Sequence, residues 1–217
     1  MGTDGTIQTH ESTRERLLRA AAELFAERGR DRVSIRDIAA AAGVRHGCIN
    51  YHFRSKDELY DEALLRFCPP PVGAAFPREA PAELGEEEAR ELFARIVRGI
   101  VREITGKEDP VSTGLLHGEI SRPGGPNELL FERVIRPRQR IMAALIGRMF
   151  PALTDERERA VAAFNVASQC LFLRMARPVA LRLFGAEEFD EELTALVADR
   201  IVETSLRGLG SPVGEQP

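Results

Sequence analysis

One stretch, Ser34 to Lys56, restricts the fold of this 217-residue chain more than any other. Ser34 stands where it can cap a helix, and Asp37 three residues on is placed to return the bond to the Ser34 backbone. Ile35, Ile38, Ala39 and Ala42 follow at helical spacing and make one apolar face. Gly43 then supplies a turn, because a β-carbon would resist the left-handed backbone needed to swing the chain round. The spacing predicts a second short helix from about Arg45. Val44, Ile49 and Phe53 form its apolar back, which leaves Arg45, His46, Cys48, Asn50 and Tyr51 facing out. Helix pairs joined at glycine are common in all-α proteins, so spacing alone leaves the role of that outer face open.

The same local grammar recurs along the chain. Ser12 and Glu15 read as a capping box ahead of Leu17, Leu18, Ala21, Leu24 and Phe25, with Gly29 as the stop. Ser55 and Glu58 read as another, opening a helix with Leu59, Ala63, Leu64 and Phe67 on its buried side. Pro69-Pro70-Pro71 stops that helix. The run to about Gly85, rich in Pro, Gly and Ala, reads as an extended linker or a poorly ordered loop. Helical spacing resumes over Glu86–Ile104 and again after Pro110, and Gly124-Gly125-Pro126 reads as a turn. A long helix is expected over Leu129–Phe150, disturbed near Arg133–Arg136 because Pro137 removes a backbone bond and crowds the preceding turn. A helix starting near Thr154, a break at Pro178, a stop at Gly185 and a last helix over Glu188–Leu206 complete the pattern. No segment alternates as a strand would. The expected fold is all-α: a three-helix head and a larger helical domain. The segments are 1–11 as a disordered tail, 12–54 as the head, 55–85 as connecting helix and linker, 86–208 as the larger domain, and 209–217 as a tail.

Composition narrows the function. No apolar run is long enough to span a membrane. Three scattered cysteines, Cys48, Cys68 and Cys170, argue against a disulfide framework and fit a reducing cytoplasm. The net charge is −4, yet Glu11–Lys56 holds ten basic and six acidic residues, so that segment is +4 and the remainder −8. A positive end on an acidic chain is what a phosphate backbone attracts. The four histidines and three cysteines show no metal-ligand spacing, and no glycine-rich phosphate loop occurs. His117 and Glu119, two apart on a helix, point in different directions. No enzyme, metal site or cofactor is expected.

Residues 13–67 resemble the TetR family of one-component transcriptional regulators. The resemblance is carried by Val33-Ser34-Ile35-Arg36-Asp37-Ile38-Ala39 and by the run from Ile49 through Asn50-Tyr51-His52-Phe53-Arg54-Ser55-Lys56 to Leu59. In the second half, Phe131–Arg138 and Ser168–Val179 are similar to the ligand-binding domain of CecR-type TetR regulators. The resemblance implies a homodimer, joined through residues 155–175 and 189–207 as a four-helix bundle, that binds a double-stranded palindromic operator. It also implies release by a small-molecule effector. The wide apolar faces of those two segments would equally suit core packing.

The site residues follow. Arg45 is the first choice for a base contact, because a guanidinium matches guanine O6 and N7 in a bidentate fashion. His46 and Asn50 also suit base edges, Gly47 permits close approach, and Cys48 is small enough to meet a thymine methyl or, alternatively, to act as a redox switch. By family analogy Tyr51, His52, Lys56, Ser34 and Arg36 hold phosphates; Tyr51 packed on the following helix is the competing reading. For the effector, His117, Glu119, Arg136, Gln169 and Arg174 are the polar residues nearest apolar helical stretches, with Arg122 beside them. A helical protein-binding adaptor without sequence-specific DNA binding is the alternative function.

Overall fold

A computed structural model describes residues 12–68, 77, 83–106, 109–123 and 126–210. The expectations for the 1–11 tail, for most of the 69–85 segment, for Gly124-Gly125 and for the end of the chain beyond 210 lie outside these residues. Among the described residues every regular element is helical, and the chain forms two compact units, 1–68 with 110–127 and 69–109 with 128–217.

The first unit begins with α1 (Thr13–Arg28), whose start is fixed by the reciprocal Ser12–Glu15 capping box. A 3₁₀ turn at Arg30–Arg32 leads to α2 (Ile35–Ala41), capped by Ser34 and Asp37 in the same reciprocal way. Gly43 takes a φ of +63°, the left-handed conformation expected of it, and α3 (Gly47–His52) follows. α4 (Lys56–Phe67) completes the N-terminal run. Here the expected capping box closes by half. Ser55 accepts from the Glu58 N–H at 3.1 Å, but the Glu58 carboxylate reaches past it to the Arg54 N–H at 2.7 Å.

Leu17, Ala21, Ile38, Ile49, Phe53, Leu59 and Leu64 are 0–1 % exposed and form the centre of this unit. Each of the larger side chains among them stabilises the fold by about 1.5–3 kcal/mol relative to leaving it in water, and the Ala21 methyl by less than about 1 kcal/mol. The compact unit extends beyond residue 54: α4 packs on α1, and so does α6 (Pro110–Ile120). α6 belongs here because Gly114 meets α1 at close range. A β-carbon on Gly114 would lie 2.8 Å from the Ala26 carbonyl oxygen, nearer than any side chain tolerates. Spacing alone cannot show which neighbour an apolar face will choose, so residues 110–127 read as part of the larger domain.

The second unit contains α5 (Glu86–Thr105), α8 (Arg136–Met149), α9 (Glu156–Met175), α10 (Arg177–Phe184) and α11 (Glu191–Gly210). Phe93, Ile96, Val97, Val101, Leu145, Ile146, Ala163 and Val166 are among its core residues. Arg98 pairs with Asp199 at 2.7 Å across α5 and α11. Arg177 donates to the Thr105 carbonyl at 3.0 Å, placing a cation where the last carbonyls of α5 lack helical partners. The disturbance expected ahead of Pro137 takes a specific form. A short α7 (Glu128–Leu130) passes into a π-helical turn, Phe131–Ile135, and α8 begins with Pro137 in its first turn. The wider turn is one way to accommodate a residue that lacks an N–H and crowds the preceding backbone.

Candidate nucleic-acid interface

Two side chains settle how α3 sits. Ile49 is 0 % and Phe53 1 % exposed, so the helix is held against the first unit from behind. Arg14 supports the same point, with its guanidinium 5.1 Å from the centre of the Phe53 ring. Outward face Arg45, His46, Gly47 and Asn50, all exposed, with Cys48 and His52 partly so. Tyr51 is 85 % exposed, which excludes packing on α4 within this chain; its ring meets His52 edge-on at 5.0 Å. A short helix with an apolar back and a row of donors and aromatics in front has the form of an element that enters a major groove.

The flanks are less free than spacing implies. The Ser34 hydroxyl donates to Asp37 Oδ2 at 2.6 Å, and the Ser34 N–H donates to the same oxygen at 2.8 Å. These bonds hold the Asp37 carboxyl below the usual carboxylate range, the hydroxyl bond contributing most. A phosphate arriving at Ser34 must displace that carboxylate. Arg36 is exposed beside it. Lys56 has structural work of its own: its ammonium donates to the carbonyls of Arg30 at 3.0 Å and Val33 at 3.1 Å. Two of its three donors thus tie the start of α4 to the loop before α2, and one donor remains. Arg30 lies close by, bonded to Asp57 and with its guanidinium 5.5 Å from the centre of the Tyr60 ring. That bond lowers the Asp57 carboxyl and raises the Arg30 guanidinium.

The residues expected to bind an effector are divided between the units. His117 and Glu119 lie on α6 of the first unit; Arg136, Gln169 and Arg174 lie in the second. His117 is exposed. Glu119 is 1 % exposed and already engaged: it accepts from the Tyr60 hydroxyl at 2.5 Å, from the Asn127 N–H, and from Arg122 at 3.5 Å. Those bonds make it an internal fastener of α6 to α4, since a buried carboxylate must be satisfied by donors or become protonated. Burial, with the Glu119 bond next, raises the Tyr60 phenol well above its usual range. Gln169 sits on the exposed side of α9, donating to Asn165 O at 3.4 Å and to Ser205 Oγ at 3.5 Å. Arg136 pairs with Glu132 at 2.8 Å and borders a groove between α8 and the first turns of α9. The other members of that groove, Gln139, Arg140 and Arg159 among them, escaped sequence reasoning. The signal was a stripe at i, i+4 and i+8 running through Arg136, Arg140 and Ala144.

Comparison with known proteins identifies the family. The profile described as "Bacterial regulatory proteins, tetR family" matches residues 17–63, and that of the "HTH-type transcriptional dual regulator CecR, C-terminal domain" matches residues 89–209, more than half the chain. The CecR regulator of Shigella flexneri is 26% identical over 210 residues, covering 92% of this chain and 93% of that one. The repressor KstR2 of Mycolicibacterium smegmatis is 43% identical over 56 residues, covering 26% of this chain; the chain spans about a quarter (27%) of that relative. A bacterial regulatory protein of the tetR family from Rhodococcus RHA1 has the same fold, with a TM-score of 0.65 at 19% identity over 94% of this chain and 100% of that one. These relatives are transcriptional regulators rather than enzymes. The chain belongs to the TetR family of bacterial regulatory proteins and carries a C-terminal domain of the CecR type.

Proposed function

We propose that this transcriptional regulator is a repressor that grips a palindromic operator as a homodimer and lets go when a small molecule binds. The observation that carries the reading is the attitude of α3, with Ile49 and Phe53 sealed beneath it and Arg45, His46, Asn50 and Tyr51 presented outward. Arg45 reads a guanine edge; Tyr51, His52, Arg36 and the remaining donor of Lys56 set the register on phosphates. One head makes too small a contact for selectivity, so two heads spaced about 34–36 Å apart address successive major grooves. Support for the dimer comes from α9 and α11. Val161, Phe164, Phe172 and Leu196 are 53–66 % exposed, and on α9 the first three fall on one stripe. Large apolar side chains left in water along one face are the mark of a surface that a partner covers. An effector releases the operator to the extent that it binds the released state more tightly than the gripping state.

Selection of bound duplexes from a random DNA pool tests the reading. It predicts enrichment of a two-fold symmetric site whose half-sites lie one helical turn apart. Recovery of no common sequence at physiological salt would defeat it.

A further inference from the structure

The groove of the second unit carries more information than the effector residues expected from spacing. Its volume is about 520 Å³, within the range of about 300–1,000 Å³ that small-molecule sites occupy. Phe131 and Ile135 of the π-helical turn, with Ala143 of α8, give it an apolar wall. The wide turn sets Phe131, Ile135 and Gln139 along one side, and such turns recur where a helix does more than support a core. The rim is cationic: Arg136, Arg140, Arg148 and Arg159 stand against one acid, Glu156. Arg136 has its own partner in Glu132. The guanidinium groups of Arg140 and Arg159 make no hydrogen bond or ion pair among the described residues. Arg159 lies folded over Gly147, within about 3 Å of where a β-carbon would stand.

A second observation is independent of the charge. Gln139 Oε1 is buried with no hydrogen-bond donor. Turning that amide over places its NH₂ group at the same point, so it can offer either an acceptor or donors to an incoming molecule. Left alone, a buried amide atom of this kind is unfavourable, and a ligand that bonds to it removes the penalty.

We propose that this groove binds a small amphipathic carboxylate, its apolar chain along Phe131, Ile135 and Ala143 and its carboxylate held by Arg140, Arg159 and the Gln139 amide. The proposal deepens the reading of an effector-released repressor and rests on that reading only for the consequence to DNA.

Calorimetric titration of the full chain with octanoate, 1-octanol and octyltrimethylammonium tests it, because the three share a tail and differ in charge. Octanoate is expected to bind at least ~30-fold more tightly than the other two. The double variant Arg140→Glu/Arg159→Glu should abolish that preference with an unchanged melting curve. The separate variant Ala144→Phe, on the exposed side of α8, should close the groove and remove all binding. Equal affinity for the three probes, or octanoate binding indifferent to both variants, would overturn the proposal. So would a change in sedimentation on charge reversal, since a second copy would then occupy the groove. Octanoate binding that obeys the variants but leaves operator affinity unaltered keeps the site and removes the release mechanism; operator release that ignores the variants removes the site.

Discussion

The two units handle their polar groups differently. In the first, most of the charged and hydroxyl side chains that matter are committed: Ser12 and Glu15, Ser34 and Asp37, Lys56 on two carbonyls, Glu119 on Tyr60 and Asn127; the exception is Arg30, whose Nε is buried without a partner although its Nη2 bonds Asp57. In the second, Arg138 Nη2 and Gln139 Oε1 are buried without a partner on neighbouring positions of α8, and Phe164 and Phe172 stand in solvent on α9. Under the proposed function the first unit presents a fixed surface, which suits its mostly satisfied polar groups, and the second responds to a ligand, which suits its open positions.

The largest effect should come from removing the seal beneath α3. Phe53→Ala should destabilise the chain by about 3–5 kcal/mol, read from a chemical melt, through lost transfer energy and the cavity left behind. A loss below about 1 kcal/mol would mean that α3 is not anchored there. Next comes the fastener on α6. Glu119→Ala should cost about 2–3 kcal/mol by orphaning the buried Tyr60 hydroxyl and the Asn127 N–H, whereas a merely solvated carboxylate would cost nothing.

Arg138 should behave in the opposite sense. Burial pushes its guanidinium down to about 10, and Glu103 offsets this in part. A cation whose folded-state pKa is depressed destabilises the fold in full below about pH 10, and the penalty fades as pH rises from there toward the ordinary guanidinium value. Arg138→Met combined with Glu103→Gln removes the buried cation together with the carboxylate that offsets it, and should stabilise the protein at neutral pH by about 1–3 kcal/mol. A fall in melting temperature would show that the guanidinium is satisfied in solution. The smallest effect should come from Ser55→Ala, about 0.5–1 kcal/mol, because only one half of that cap is closed.

What the sequence disclosed follows the same division. Caps, stops and the α3 face depend on residues within four of one another, so Ser12, Ser34, Gly43 and the Ile49/Phe53 pair could be read directly. Pro137 announced a disturbance, though not that it would be a π-helical turn. The partner of α6 could not be read, because the fit of Gly114 against Ala26 joins residues far apart in the chain. Glu58 reaching Arg54, and Lys56 reaching the Arg30 and Val33 carbonyls, were hidden for a related reason: several acceptors compete at a helix start and geometry decides among them. The groove residues Gln139, Arg140 and Arg159 were obscured by ordinary surface charge. Arginine every fourth residue on a helix normally means a solvated face, and only the backbone around the π turn draws these side chains together with α9.

The most direct test of the central claim is an anisotropy titration of a selected duplex and its scrambled counterpart, at about 150 mM salt, with the intact protein and with Arg45→Ala. The intact protein should prefer the selected site by about 10³-fold or more. Arg45→Ala should reduce that preference by about 10–100-fold with an unchanged melting curve. Equal affinity for the two duplexes, or a preference that survives the loss of Arg45 untouched, would contradict the claim.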